Sequence, residues 1–435
     1  MTAAAYANLL LRSLGRAEQV PEFREEHPAF VWARSGLMAL TGRSDGPGQM
    51  CPVPLTTCAD GALAALKALV PDAKLDFDGS QLLSERAANF GHQRQGAVSA
   101  GGSCHLLETL DGAIALNLAR EDDWELMLAW LDHDAKDWPT VETRVATMTM
   151  HDLVEQGRLL GLAVAPVVPT PSAPVPWFQV THRASARPVQ RAPRVIDLSS
   201  LWAGPLCGHL LQACGGEVIK VESVQRPDGA RHGPSAFFDL MNAGKRSVAL
   251  DLTSERGREQ LRQLILQADI VIEASRPRAL RQMGVQAEAL LKAKPGLTWV
   301  SLTGYGRGEP KENWIAYGDD AGVAAGLSWI MRQATGESMI VGDAIADPLT
   351  GLHAALAVWA SYVGGGGQLI SLSLVDVVRH CIQFDLPSSK ALLQARQQDW
   401  SARVSAHDIV APVARVASQS ARPLGADTDN IFINS

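Results

Sequence analysis

The stretch RVIDLSSLWAGPLCGHLLQACGGEVIKVES, residues 194–223, decides the fold. RVIDLSS is a β-rich run, GPLCGHLLQACGG a helical run closed by glycines, and EVIKVES a second β-rich run. The alternation continues outward. SVALDLT reads as a third strand, SERGREQLRQLILQAD as an amphipathic helix with Ser254 as N-cap, IVIEAS as a fourth strand and LTWVSLTGYG as a fifth. Strands alternating with helices predict an α/β fold with a mainly parallel, Rossmann-like sheet. Ligands of such sheets bind beyond the carboxyl ends of the strands, which directs attention to the loops SSLWAGP, IEASRPR and TGYGRGEP. No GxGxxG follows the first strand; the turn holds only Gly204, then Pro205, so neither a nicotinamide nor a flavin cofactor is expected.

Upstream, residues 165–194 hold seven prolines and read as an extended connector between two globular parts. Residues 1–164 differ in character. LETLDGAIALNLAREDDWELMLAWL reads as a hairpin followed by a helix, and VETRVATMTMHDLVEQGRLLGLAVAPVV as helices followed by a strand, so a smaller α+β unit is expected there. The expected division is therefore 1–164, a connector over 165–194, and a sheet domain over 195–435.

With 435 residues, 46% hydrophobic and 20% charged, the chain has ample apolar material for a core. No apolar run reaches the roughly 18 residues of a membrane span, and the start MTAAAYANLLLRSLGR lacks a basic n-region, so a cytoplasmic protein with no membrane partner is expected. The six cysteines form no CxxC and have no paired histidine spacing; buried thiols are expected, with no metal. A net charge of -7 argues against a nucleic-acid partner.

IADPLTGLHAALAVW, residues 345–359, sets Asp347 and Pro348 at the mouth of a run apolar enough to be a buried helix. Asp is a favoured N-cap and Pro suits the first helical position, so the pair reads locally as the start of a helix over 349–359. Self-comparison adds an offset of 290. Gly36, Leu37, Gly46, Gly61, Ala64, Ala65 and Leu66 match Gly326, Leu327, Gly336, Gly351, Ala354, Ala355 and Leu356, seven identities over 34 ungapped positions. In that alignment Thr57 stands opposite Asp347. Both residue types cap helices, and only one of them can be a carboxylate nucleophile.

Five blocks in order, VIDLSSLWAGPLCGHLLQACGGEVIKVE, NAGKRSVALDLTSERGREQL, ADIVIEASRPRALRQMG, SLTGYGRGEP and IADPLTGLHAA, closely resemble the family III CoA-transferases over about residues 194–378. The first half resembles the rest of the same fold, displaced: GAVSAGGSCHLLETLDGAIALNL is similar to the glycine loop and opening of the family's small domain, and VEQGRLLGLAVAPVV to its closing segment. The resemblance implies a fusion of two eroded copies and a homodimer, in the family an interlocked one. It also implies a substrate pair of acyl-CoA and a small carboxylic acid.

Carried over by position, the resemblance places Asp347 on the catalytic aspartate, which attacks the thioester and passes through a mixed anhydride and an aspartyl-CoA thioester. Gly101 and Gly102 fall on the mobile glycine loop, and Asp320 on an acidic position that assists or orients. Trp202, Ala203, Gly204, Leu250, Ala274, Ser275, Arg276 and Met283 fall on positions that bind coenzyme A. The chain departs from the pattern at Ser223 and Gln282, where basic residues are usual; Arg276, Arg278 and Arg281 lie near enough to replace them. Asp319 stands where the racemase branch has a histidine, which disfavours proton shuttling at the acyl α-carbon. His353 reads as a packed histidine, and the GGGGQ turn at 364–368 carries no role. Two other readings stay open: a CoA-binding homologue without turnover, and an acyl-CoA racemase.

Overall fold

A computed structural model describes every residue except 1, 23, 24, 190, 406, 407, 434 and 435. Among the described residues the strands are β1 (Cys104–Glu108), β2 (Ala113–Asn117), β3 (Ala163–Pro166), β4 (Gln179–Arg183), β5 (Arg194–Asp197), β6 (Glu217–Ser223), β7 (Arg246–Leu250), β8 (Ile270–Glu273), β9 (Thr298–Thr303) and β10 (Gln368–Ser373). The last seven form one sheet in the order β4-β10-β9-β8-β5-β6-β7, parallel throughout except for the antiparallel edge strand β4. The mixed α/β architecture matches the sequence expectation. Strands β5, β8 and β9 are buried almost continuously rather than at alternate residues, as both faces of a covered parallel sheet demand.

β5 lies inside the sheet, next to the central strand β8. The chain winds outward from it to β6 and β7, then returns to its other side for β8, β9 and β10. The order reverses between β5 and β8, the place where an open α/β sheet leaves a crevice. In the first half, β1-β2-β3 form an antiparallel sheet with its own core of Leu107, Ile114, Trp130 and Leu153.

The stretch 165–194 is more than a spacer, because β4 inside it pairs along β10. Beside the cores that belong to one half, the two halves also share a core. One apolar cluster unites Tyr6, Leu10, Trp32, Leu63 and Leu66 with Leu349, Leu352, Leu356 and Val378. At its centre is the Ala346–Val363 helix, apolar around its whole circumference and packed between first-half and second-half elements.

Two helix pairs in this cluster are built alike. A Cβ on Gly61 would lie 2.7 Å from the Ala3 carbonyl oxygen, and one on Gly351 would lie 2.7 Å from the Ala203 carbonyl oxygen. In each pair a glycine lets the longer helix close onto the first residue of the shorter one, Ala3–Ser13 or Ala203–Ala213. Gly36 and Gly326, also 290 apart, both adopt left-handed backbone ahead of a helix.

Candidate active site

A cavity of about 1200 Å³ opens where β5, β6 and β8 end, at the point of strand reversal. It exceeds the roughly 300–1,000 Å³ common for small-ligand pockets, so it suits a long, flexible ligand. The loop after β5 is shaped from beneath by buried charges. Lys220 Nζ donates to the Ser199 carbonyl at 2.9 Å and pairs with Asp228 at 2.8 Å, and Asp228 in turn accepts from the backbone N–H groups of Leu201 and Ala230, both at 3.0 Å. Leu201 is thereby held at φ 68, a left-handed conformation unusual for a branched residue. Gly204 follows in a space that admits no side chain: its Cβ would lie 2.1 Å from the Cβ of Ser199.

The helix carrying Asp347 begins earlier than the sequence reading placed it. It spans Ala346–Val363 with Ile345 at the cap, no side chain capping it, and Asp347 inside the first turn. The capping account of this carboxylate is therefore overturned. Its own N–H bonds the carbonyl of Ala344, at 2.9 Å, and Ala344 sits at φ 47. The side chain is half-buried in the cavity wall and has no hydrogen-bond or ion-pair partner among the described residues. Gly318 faces it: a Cβ there would lie 2.4 Å from Asp347 Oδ2 and 2.3 Å from the Ala344 oxygen.

Around Asp347 gather three more acids. Asp319 lines the cavity and accepts from the Ala344 N–H at 2.8 Å. Asp320 is fully buried behind it, accepting from Asn117 Nδ2 at 3.0 Å and the Tyr317 N–H at 2.9 Å. Asp343, also buried, accepts from Arg86 Nη1 at 2.5 Å and shares that oxygen with His92 Nδ1 at 3.2 Å. Burial pushes Asp347 up to about 7; Arg86 opposes the rise, and the neighbouring acids add to it. Burial likewise raises Asp319 to about 6 and Asp320 to about 7. A half-buried, unpartnered carboxylate poised near neutrality has the character of a candidate nucleophile or base.

Of the residues predicted from sequence, Asp347, Gly101, Trp202, Ser275 and Met283 line the cavity. Gly102 stands beside it at φ +84, turning the 99–103 loop through its N–H bond to the Ser99 carbonyl. Ala203, Gly204, Leu250, Ala274, Arg276 and Asp320 do not line it. Gly204 and Ala274 shape it from behind, Asp320 orients its helix, and Arg276 is exposed on the surface. The sequence reading missed Arg86, Asn117, Arg226 and Arg258, all cavity-lining, and noted Asp319 only as a departure from the racemase branch without placing it in the site. Arg226 and Arg258 sit beyond β6 and β7 with Ser223, where the departure at Ser223 left a cation wanting. Arg226 has no partner among the described residues, whereas Arg258 donates to the Thr253 carbonyl at 2.8 Å.

The model for CoA-transferase family III matches residues 192–417, just over half of the chain, and the match takes in the second-half wall of the crevice, Asp347 included, but not Arg86, Gly101 or Asn117. The chain belongs to family III. The succinate–glutarate CoA-transferase of Agrobacterium fabrum is 32% identical over 215 residues, covering 46% of this chain and 54% of that one. The formyl-CoA:oxalate CoA-transferase of Afipia carboxidovorans is 29% identical over 219 residues, covering 48% and 51%. Among solved structures, a CAIB/BAIF family protein from Brucella suis is 30% identical with a TM-score of 0.39, covering 45% of this chain and 55% of that one. The chain thus spans about half the length of the family III relatives it matches. Among the described residues no helix is long and apolar enough to cross a membrane, and no group of His, Cys, Asp or Glu is arranged to hold a metal.

Proposed function

We propose that this chain transfers CoA from an acyl-CoA thioester to a free carboxylic acid by way of Asp347. The observation that carries the reading is the half-buried Asp347 carboxylate, unpartnered among the described residues, in the wall of a cavity of about 1200 Å³, roomy enough for a large thioester. Its geometry suits attack on a carbonyl carbon: the oxygen is free, the first turn of the Ala346–Val363 helix favours negative charge, and Gly318 leaves space beside Oδ2. An Asp347 oxygen forms a bond to the thioester carbon and the C–S bond breaks, giving a mixed anhydride and CoA thiolate. The thiolate then attacks the aspartyl carbon and releases the acyl group as its acid. The acceptor acid reverses both steps and leaves as a new thioester.

The residues present fit coenzyme A. Arg226 and Arg258 offer charge for phosphates, while Leu252, Leu261, Leu280 and Met283 offer an apolar wall. Family III membership and the CoA-transferase names of the relatives support the same reaction class. The named relatives act on succinate, glutarate, formyl-CoA and oxalate, so short carboxylic acids are the acceptors we propose. The matched glycine-to-carbonyl contacts at Gly61 and Gly351 favour descent of the chain from two fused copies, with Thr57 the silent counterpart of Asp347. A cytoplasmic homodimer is part of the same proposal.

The test is to incubate the protein with acyl-CoA, add hydroxylamine or borohydride, and look for modification of Asp347 by mass spectrometry. Modification of Asp347, with loss of exchange in Asp347→Asn by about 10³-fold or more, is the expected result. An unmodified protein that still binds CoA overturns it in favour of a non-catalytic binder. Deuterium exchange at the acyl α-carbon without acid exchange overturns it in favour of a racemase, although no histidine lines the cavity among the described residues.

A further inference from the structure

Among the described residues Arg86 stands beside these four acids, and its geometry is specific. Arg86 comes from the Glu85–Phe90 helix of the first half and lines the cavity together with Asp347 and Gly101. Its Nη1 is taken by Asp343, and the ring of Phe90 lies 5.2 Å from its guanidinium carbon. Its Nη2 has no acceptor among the described residues. That edge points along Gly101, where a Cβ would lie 3.4 Å from Nη2 and 3.2 Å from His92 Cε1. Arg86 pairs with Asp343 and not with Asp347, and it lines the same cavity as that carboxylate.

Attack on a thioester moves a pair of electrons onto the carbonyl oxygen, and that oxygen needs a donor that is already in place. We propose that Arg86 is a catalytic residue of this site, its Nη2–H donating to the substrate carbonyl oxygen as negative charge develops there. The proposal rests on acyl transfer through Asp347. An Asp347 oxygen pair forms the C–O bond, and the C=O pair moves onto oxygen opposite Arg86. When that pair returns, the C–S bond breaks and its electrons leave on sulfur as CoA thiolate. No proton is transferred. Asp343 and His92 act through Arg86 as positioning residues, fixing the guanidinium from its buried side.

The experiment compares Arg86→Lys and Arg86→Gln with the parent in steady-state exchange between acyl-CoA and free acid. Lys keeps a charge on Asp343 and so preserves the fold, but its single ammonium group has no second edge. Both variants are expected to lose about 10²- to 10³-fold in kcat with KM for acyl-CoA within about threefold. The acidic limb of the pH profile is expected to move to higher pH in Arg86→Gln and to stay in place in Arg86→Lys. Added guanidinium ion is expected to restore part of the rate in Arg86→Gly. A folded Arg86→Lys protein with kcat within threefold of the parent overturns the proposal, as does a loss confined to KM. If Asp347→Asn retains full exchange, the acyl-enzyme reading has failed. If Asp347→Asn is silent and the Arg86 variants are fully active, only the role of Arg86 has failed.

Discussion

At the scale of the residue, the electrostatics of Asp347 give two predictions of opposite appearance. A carboxyl raised to about 7 is ionised only above that pH, so kcat/KM for acyl-CoA should rise through pH 7 and level off by about pH 8, measured in initial-rate assays at fixed ionic strength. The same shift lowers stability. The folded chain holds the proton more tightly than the unfolded one, so Asp347 is a net cost above its unfolded value near 4, and the cost grows until about pH 7. Asp347→Asn should therefore raise Tm at pH 8 by roughly 2 °C or more, with the gain gone below about pH 4, as thermal melts in matched buffers will read. The resemblance marked Asp347 as the expected nucleophile, but its surroundings were not legible in the sequence. Local rules read Asp-Pro as a cap, and only the observed start at Ala346 shows the carboxylate turned toward the cavity. Arg86 and Asn117 gave no local signal because their meaning arises from contact with Asp343 and Asp320, residues more than 200 positions away.

At the scale of the element, the site depends on how closely backbone approaches backbone. Gly318→Ala would drive a methyl into both Asp347 Oδ2 and the Ala344 carbonyl; we expect at least a tenfold fall in kcat and a loss of about 1–3 kcal/mol, read by urea titration alongside activity. Gly351→Ala would part the Ala346–Val363 and Ala203–Ala213 helices at the Ala203 carbonyl, with a similar loss of stability. Strands β5 to β9 and the Glu255–Gln267 helix were legible because they are short, punctuated and periodic, and they lie where the pattern put them. β4 was hidden, since its exposed, proline-flanked sequence pairs on one edge only and so shows no alternation.

At the scale of the whole molecule, the first half supplies both the floor of the site and much of its core. The 195–435 segment expressed alone would lack Arg86, Gly101 and Asn117 and would expose the faces that cover the Ala346–Val363 helix. It should bind a hydrophobic dye, melt without a cooperative transition and show no exchange, whereas mixing it with residues 1–194 should restore part of each; dye fluorescence and circular dichroism decide the matter. The sharing of one core could not be read from the sequence, because apolar periodicity says which face of a helix is buried and never what buries it.

That shared core also sets a schedule for the nascent chain. The Leu55–Leu69 helix leaves the ribosome roughly 280 residues before the Ala346–Val363 helix that covers it. At about 5–20 residues per second, its apolar flank waits on the order of 15–60 s for a partner. Over that interval a holdase, a slow stretch of codons or a low synthesis temperature governs how much protein reaches the soluble fraction.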